Sequence, residues 1–319
     1  MRSAIVGYGV IGKLHGKILR EMGHLSAICD VDLTALDGIN DVNTYSDYIS
    51  MLDKERPDVV HICTPHYLHA DMVIEALSRN INVICEKPLC IKLEDIDRIL
   101  EAEKNSRGIL GVCHQNRYNP CNVYVKEYLE DKRILGASGQ VSWCRDAEYY
   151  ASADWRGKWD TEGGGVLINQ ALHTLDLLIW FCGMPESITA TVDDLTLKGA
   201  IEVEDTAAIL ARGDVGFSFF ATNGSVCSMP VELTVKTEDE IIKVLPRVAL
   251  LGNKIIDFPK ERYIGPKACY GDGHGALFAH FYECVANSSH FPIDGREGAK
   301  VIRVILAAYK SGGMSVTVK

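Results

Sequence analysis

The feature that most constrains this chain is Gly7-x-Gly9-x-x-Gly12, which directly follows a short apolar run at residues 2–6 and leads into a helical pattern at 11–22. A strand that turns through three glycines into a helix presents bare backbone N–H groups at the helix N-terminus, where phosphate is favoured. Asp30 closes the second apolar run, residues 24–29, 18 residues after Gly12. A carboxylate at that spacing accepts hydrogen bonds from both hydroxyls of an adenosine ribose and repels a 2′-phosphate. Gly7, Gly9, Val10, Ile11, Gly12 and Asp30 are therefore expected to hold a dinucleotide, NAD in preference to NADP. FAD uses the same fingerprint, so the case for nicotinamide rests on residues further along the chain.

Such a unit belongs to a parallel sheet covered by helices, and the next hundred or so residues continue the alternation. Residues 59–63, 82–85 and 109–113 read as further strands, and 69–79 and 93–105 as helices. After Pro120 the rhythm changes. A helix at 123–130 precedes longer alternating strands at 139–144, 188–193, 206–211, 216–222 and 231–237, with helices at 164–181, 275–288 and 295–309. The expected fold is α/β: an N-terminal Rossmann domain with a doubly wound parallel sheet over residues 1–118, and a C-terminal α+β domain over 119–319 with a large, mainly antiparallel sheet. Helices covering one face of that sheet would leave the other for a partner, so a homo-oligomer, dimer or tetramer, is expected.

Composition narrows the function classes. A net charge of -10 with no dense basic block speaks against nucleic acid as a partner. No apolar run approaches the ~20 residues a membrane span needs, and glycines interrupt the N-terminal run before a signal-peptide core can form, so a cytoplasmic protein is expected. Eleven cysteines, an odd number without a CxxC pair, read as reduced and mostly buried thiols, with neither disulfides nor a metal site.

Three further segments carry a resemblance that runs nearly end to end: Thr64-Pro65 with His69, Glu86-Lys87-Pro88, and Trp155-Arg156-Gly157 leading into Gly163-Gly164-Gly165-x-x-x-Asn169-x-x-x-His173-x-x-Asp176. With them the chain resembles the glucose-fructose oxidoreductase and inositol dehydrogenase family (Gfo/Idh/MocA). The resemblance implies an NAD-dependent dehydrogenase that transfers a hydride between a sugar or polyol hydroxyl carbon and nicotinamide. It implies that Thr64 and Pro65, with His69 behind them, serve the nicotinamide side of the cofactor. Glu86 and Lys87 would sit at the mouth between domains, and Trp155 and Arg156 would reach cofactor or substrate from the second domain.

The residues themselves support the same place. Lys87 follows an apolar strand at its C-terminal end, and ligands of open α/β sheets bind outside those ends. Partial burial lowers an ammonium's pKa, which suits a proton relay, although a solvated lysine at a strand end is the plainer alternative. His173 lies four residues after Asn169 and three before Asp176, so on the expected helix all three share one face. In so apolar a stretch a histidine is by itself more readily a core residue; the family pattern places a catalytic histidine there. Lys87 and His173 are thus the expected catalytic pair.

Asn169 stands where many polyol-oxidising relatives carry aspartate. An amide takes no proton, although it donates to and accepts from sugar hydroxyls, so whether Lys87 or His173 receives the proton stays open. Asn169-Gln170-x-x-His173 resembles the variant in members acting on nucleotide-linked sugars, notably at C3 of UDP-N-acetylglucosaminuronate. Gln115-Asn116-Arg117-Tyr118 resembles the segment passing from cofactor to substrate, with a structural Arg117 equally open. Tyr270-Gly271-x-Gly273-His274 resembles the stretch that returns to the active site. The expected substrate contacts are Lys87, Arg117, Tyr118, Asn169, His173, Tyr270 and His274; Arg145 is either an exposed arginine or a contact for an anionic substrate. Two other functions fit the same framework: an enzyme that retains NAD and cleaves or epimerises sugars by transient oxidation, and a non-catalytic dinucleotide sensor.

Overall fold

Strands covered on both faces by helices keep no polar side, and the first sheet is built from such runs. In the computed structural model of the chain, residues 1–259 and 273–318 are described. β1 (Ser3–Val6) is buried throughout, and α1 (Val10–Glu21) and β2 (Leu25–Cys29) follow it. Then come β3 (Asn43–Tyr45), α2 (Tyr48–Glu55), β4 (Val59–Ile62), α3 (His69–Ser78), β5 (Asn82–Cys85), α4 (Leu93–Asn105) and β6 (Leu110–Val112). The six strands pair in parallel in the order β3-β2-β1-β4-β5-β6, so the order reverses between β1 and β4. β3 and α2 were not foreseen. β3 is three polar residues at the sheet edge and carries no periodicity, and α2 is a short helix whose start is set by Asp47 accepting the Ser50 N–H at 2.8 Å.

The second sheet forms from strands with one covered face, and their burial alternates accordingly. The elements are α5 (Pro120–Tyr128), β7 (Ile134–Ser142), α6 (Ala147–Ala151), α7 (Leu172–Cys182), β8 (Ser187–Asp193), β9 (Thr206–Arg212), β10 (Phe217–Thr222), β11 (Glu232–Thr237), β12 (Ile241–Leu245), β13 (Val248–Leu251) and β14 (Lys254–Asp257). After α8 (Gly273–Asn287) and α9 (Gly295–Ser311), β15 (Ser315–Thr317) completes a nine-stranded sheet ordered β14-β13-β12-β11-β7-β10-β9-β8-β15. Only the central β10–β7 pairing is parallel. α7 packs beneath β7, where Gly139 leaves room for Leu178 and Phe219. On the other face Leu210 and Phe220 are exposed at 48% and 42%.

The chain divides into two compact units, Met1–His114 with Arg262–Ala299, and Gln115–Glu261 with Lys300–Lys319. The first unit is therefore discontinuous in sequence, unlike a cut at 118/119. The helix expected at 275–288 to cover the second sheet belongs instead with the first, as α8. Phe281 fills the space left by Gly111, and the Tyr282 hydroxyl meets Ser3 Oγ at 2.5 Å and His61 Nε2 at 3.1 Å. Periodicity identifies an apolar helix face, but which sheet it meets is decided by the shapes it fits. Among the described residues no helix is long and apolar enough to cross a membrane, and the cysteines are free thiols.

Candidate active site

In the first unit the glycine turn is dictated by close backbone approach. Gly7 has φ +85°, and a Cβ there would lie 2.6 Å from the Cys63 carbonyl, so only glycine brings β1 against the end of β4 and Thr64. A Cβ at Gly12 would lie 1.9 Å from the Gly7 oxygen. Gly9, by contrast, has nothing within 4 Å and caps α1 without a side-chain hydrogen bond, which leaves the helix N-terminus open to a phosphate. Val10 just inside the helix is 55% exposed, and Ile11 is half-buried. Asp30 Oδ2 accepts the Tyr8 N–H at 2.6 Å and Oδ1 the Asp32 N–H at 2.8 Å, so its carboxylate is locked beside the glycine turn. These residues fit a dinucleotide.

His69 is buried, its Nδ1 2.6 Å from the Pro88 carbonyl and its Nε2 2.8 Å from that of Thr64. It clamps the loops after β4 and β5 to each other, and burial pushes its pKa down despite both carbonyls. Thr64 and Pro65 are half-buried at the end of β4. Glu86 is buried and central. Its Oε1 is 2.9 Å from His15 Nε2 and 3.5 Å from His274 Nε2, and its Oε2 accepts the Lys87 N–H at 3.2 Å. Burial alone would raise the Glu86 carboxyl, yet its hydrogen bonds with the two histidines hold it well below the usual carboxylate range.

Burial pushes the His15 and His61 imidazoles down. A neutral His15 that donates Nε2–H to Glu86 has Nδ1 as its acceptor, and that atom lies 3.0 Å from His61 Nδ1. The chain of donors then runs from Ser3 through Tyr282, His61 and His15 to Glu86. Donor atoms of His15, Glu86, Cys113 and His274 lie within 4.8 Å of one another, a set compact enough for a divalent ion. Within this set His15 Nε2 and the Lys87 N–H meet the Glu86 carboxylate, and burial raises the Cys113 thiol well above its ordinary value. His274 thus packs against Glu86 inside the first unit. His15, three residues past Gly12, was missed in the sequence because a histidine on a helix face carries no pattern of its own. Lys87 is half-buried, immediately after Glu86 and joined to Pro88 by a cis peptide.

In the second unit, residues 164–171 form turns where a helix was expected. Gly163 and Gly164 have φ +84° and +142°, and a Cβ at Gly165 would lie 1.9 Å from the Glu204 oxygen. The Glu204 carboxylate accepts the Gly165 N–H at 2.8 Å and the Leu167 N–H at 3.0 Å, which pins the turn. Burial pushes Glu204 up to about 7. α7 accordingly begins at Leu172, with Asn169 ahead of it and His173 in its first turn. Asn169 is oriented by Glu162, which accepts from Nδ2 at 2.6 Å. The Gln115 amide nitrogen lies 3.2 Å from His173 Nε2. Glu162 and Glu204 were not foreseen, and Gln115 only as part of the segment passing from cofactor to substrate, since their contacts are distant in sequence.

Arg117 lies in the single helical turn Gln115–Tyr118, and its guanidinium is held by Asp176, Nε to Oδ2 at 2.8 Å and NH2 to Oδ1 at 2.6 Å. Both side chains are buried, so this arginine braces the start of α7. Trp155 is half-buried with its ring beside the Arg156 guanidinium. Tyr118 is half-buried, and Tyr270 lies outside the described residues.

Known proteins resemble this chain. Residues 1–114 match the profile of an oxidoreductase family with an NAD-binding Rossmann fold, and residues 125–242 that of the GFO/IDH/MocA C-terminal domain. The chain is 25% identical to the uncharacterized oxidoreductase YrbE of Bacillus subtilis, over 99% of this chain and 96% of that one. It is 29% identical to the inositol 2-dehydrogenase of Salmonella typhimurium, over 56% of this chain and 54% of that enzyme, so that likeness spans about half of each. The WlbA dehydrogenase of Bordetella pertussis, solved in complex with NADH and UDP-GlcNAcA, superimposes with a TM-score of 0.87 at 29% identity, covering 100% of this chain and 98% of that one. With both of its domains matched over most of its length, the chain belongs to the GFO/IDH/MocA family of oxidoreductases with an NAD-binding Rossmann fold.

Proposed function

We propose that this protein uses NAD to oxidise a secondary hydroxyl of a sugar, at C3 of a nucleotide-linked sugar acid. The observation that carries the reading is the second unit's Asn169-Gln170-x-x-His173 arrangement, with Asn169 oriented by Glu162 and His173 Nε2 3.2 Å from the Gln115 amide nitrogen. An amide held in this way offers a hydrogen bond to a sugar hydroxyl, and an imidazole can serve as a general base. Bound NAD supplies a hydride acceptor. The chain's own part is to hold the hydroxyl, with Lys87 or His173 taking its proton as the carbonyl forms. The similarity to a dehydrogenase solved with UDP-GlcNAcA supports the nucleotide-linked substrate.

Asp30 favours NAD. Its carboxylate cannot turn away from a 2′-phosphate, because both oxygens are engaged by backbone N–H groups. Like charges so juxtaposed cost several kcal/mol. Purified protein with NAD and a UDP-sugar acid is expected to produce a sustained rise in absorbance at 340 nm, with NADP at least about tenfold less effective; Asp30→Ser narrows that preference. Activity confined to neutral polyols would remove the nucleotide-linked substrate, and substrate conversion without net NADH would indicate a recycled cofactor.

The face of the second sheet that carries Leu210 and Phe220 is proposed to pair with another copy of this chain. Light scattering on the eluting protein is then expected to give a mass of at least twice 35.2 kDa. A mass equal to one chain at micromolar concentration would overturn self-association.

A further inference from the structure

Four side chains that can each ligate a metal meet inside the first unit. His15 of α1, Glu86 after β5, Cys113 after β6 and His274 in the first turn of α8 are all buried, none of them more than 6% exposed. One donor atom of each lies within 4.8 Å of those of the other three, and among the described residues no other set of histidine, cysteine and acidic donors is gathered so closely. The carboxylate is the hub. Glu86 Oε1 lies 2.9 Å from His15 Nε2 and 3.5 Å from His274 Nε2, while Oε2 keeps the Lys87 N–H. Ligand atoms at about 2.0–2.3 Å from a tetrahedral zinc ion stand about 3.3–3.7 Å apart, so both distances are near the edges of such a site, and the widest separation has to close by about 1 Å. The sheet fixes two of the four residues, since the N–H groups of Glu86 and Cys113 donate to the Ile62 and Cys85 carbonyls at 2.9 and 2.8 Å.

We propose that His15, Glu86, Cys113 and His274 form a structural site for a zinc ion. Imidazole and thiolate donors suit zinc rather than magnesium or calcium, which take oxygen. A carboxylate and a thiolate together neutralise a divalent ion, so the site buries no net charge; binding sends the Cys113 thiol proton to solvent. The surroundings fit the same ion. With its Nε2 on the metal, His15 carries its proton on Nδ1 and donates it to His61 Nδ1 at 3.0 Å, and His61 Nε2–H then meets the Tyr282 hydroxyl at 3.1 Å. A ligating histidine characteristically gives its second N–H to such a partner. Four protein ligands leave no open position for a water, so the ion's work is to tie α8 to α1 and to the ends of β5 and β6. The ligands come from positions 15, 86, 113 and 274, and no short spacing in the sequence announces them.

The test uses full-length protein produced in medium supplemented with zinc or with cobalt(II) and washed with a chelator. A Cys144→Ser/Cys227→Ser background removes the two exposed thiols of the described residues. Elemental analysis is expected to find about one zinc per chain, and the cobalt form to show the intense visible bands of a tetrahedral ion with a thiolate-to-cobalt band in the near ultraviolet. Cys113→Ser should lose the thiolate band, and His274→Gln should weaken zinc retention by at least roughly tenfold to a hundredfold, the loss that follows removal of even a supporting residue. Protein made without zinc should melt several degrees lower and recover when refolded with it. A wild type that carries neither metal from either medium overturns the site, as does metal retained equally by wild type, Cys113→Ser and His274→Gln. If neither variant folds, the cobalt spectrum of the wild type decides: the tetrahedral thiolate signature supports the site, and an octahedral spectrum without a thiolate band overturns it.

Discussion

Lys87→Ala is expected to lower turnover by roughly 10²–10⁴-fold while NAD still binds, the range over which positioned general acid–base groups contribute. Removal of a hydride from a hydroxyl carbon leaves an oxygen that must lose its proton, and a cation beside that oxygen stabilises developing negative charge. Lys87 follows the C-terminal end of β5, and its backbone N–H is held by Glu86, a carboxylate kept ionised by His15 and His274. The glycine turn and Asp30, which are to hold the dinucleotide, are separate elements, so cofactor affinity measured by NADH fluorescence should stay within a fewfold of wild type. The pH profile then separates the two candidates for the proton. If Lys87 takes it, the acidic limb of kcat/KM disappears in Lys87→Ala and persists in His173→Gln; if His173 takes it, the pattern reverses. Turnover by Lys87→Ala within a fewfold of wild type would remove the lysine from the chemistry.

Arg117→Ala should be the most destabilising of the single substitutions considered, by about 3–5 kcal/mol. It leaves the Asp176 carboxylate, buried at the start of α7, without its two charged hydrogen bonds. Replacing both partners, Arg117→Met with Asp176→Leu, should be less harmful than either single change, because no uncompensated charge remains buried. Urea midpoints of the three variants check this. A single-variant loss below about 1 kcal/mol would mean that the pair is no brace.

The two predictions rest on residues whose roles were unequally legible. Lys87 could be placed from its strand and from Glu86-Pro88, because the end of a parallel strand is a position that sequence marks. Arg117 could not be assigned in this way: an arginine on a turn looks the same whether it meets a ligand or a buried aspartate 59 residues away. His69 and His274, expected at cofactor and substrate, are buried against the Thr64 and Pro88 carbonyls and against Glu86. Their sequence neighbourhood was informative, but the direction of each ring was not.

What the sequence by itself determined is the local geometry: the glycine turn, whose backbone admits no Cβ at Gly7 or Gly12, the strand that ends at Asp30, and the alternation of apolar runs that makes a parallel sheet followed by a mainly antiparallel one. These follow from dihedral limits and burial periods acting over a few residues. Only the tertiary structure decided that α8 joins the first sheet, that Glu204 forces a turn where residues 164–171 have a helical pattern, and that Arg145 and Arg156 share the Tyr149 ring. Each is a contact between segments far apart in sequence, whose strength depends on shape, burial and charge at the meeting point.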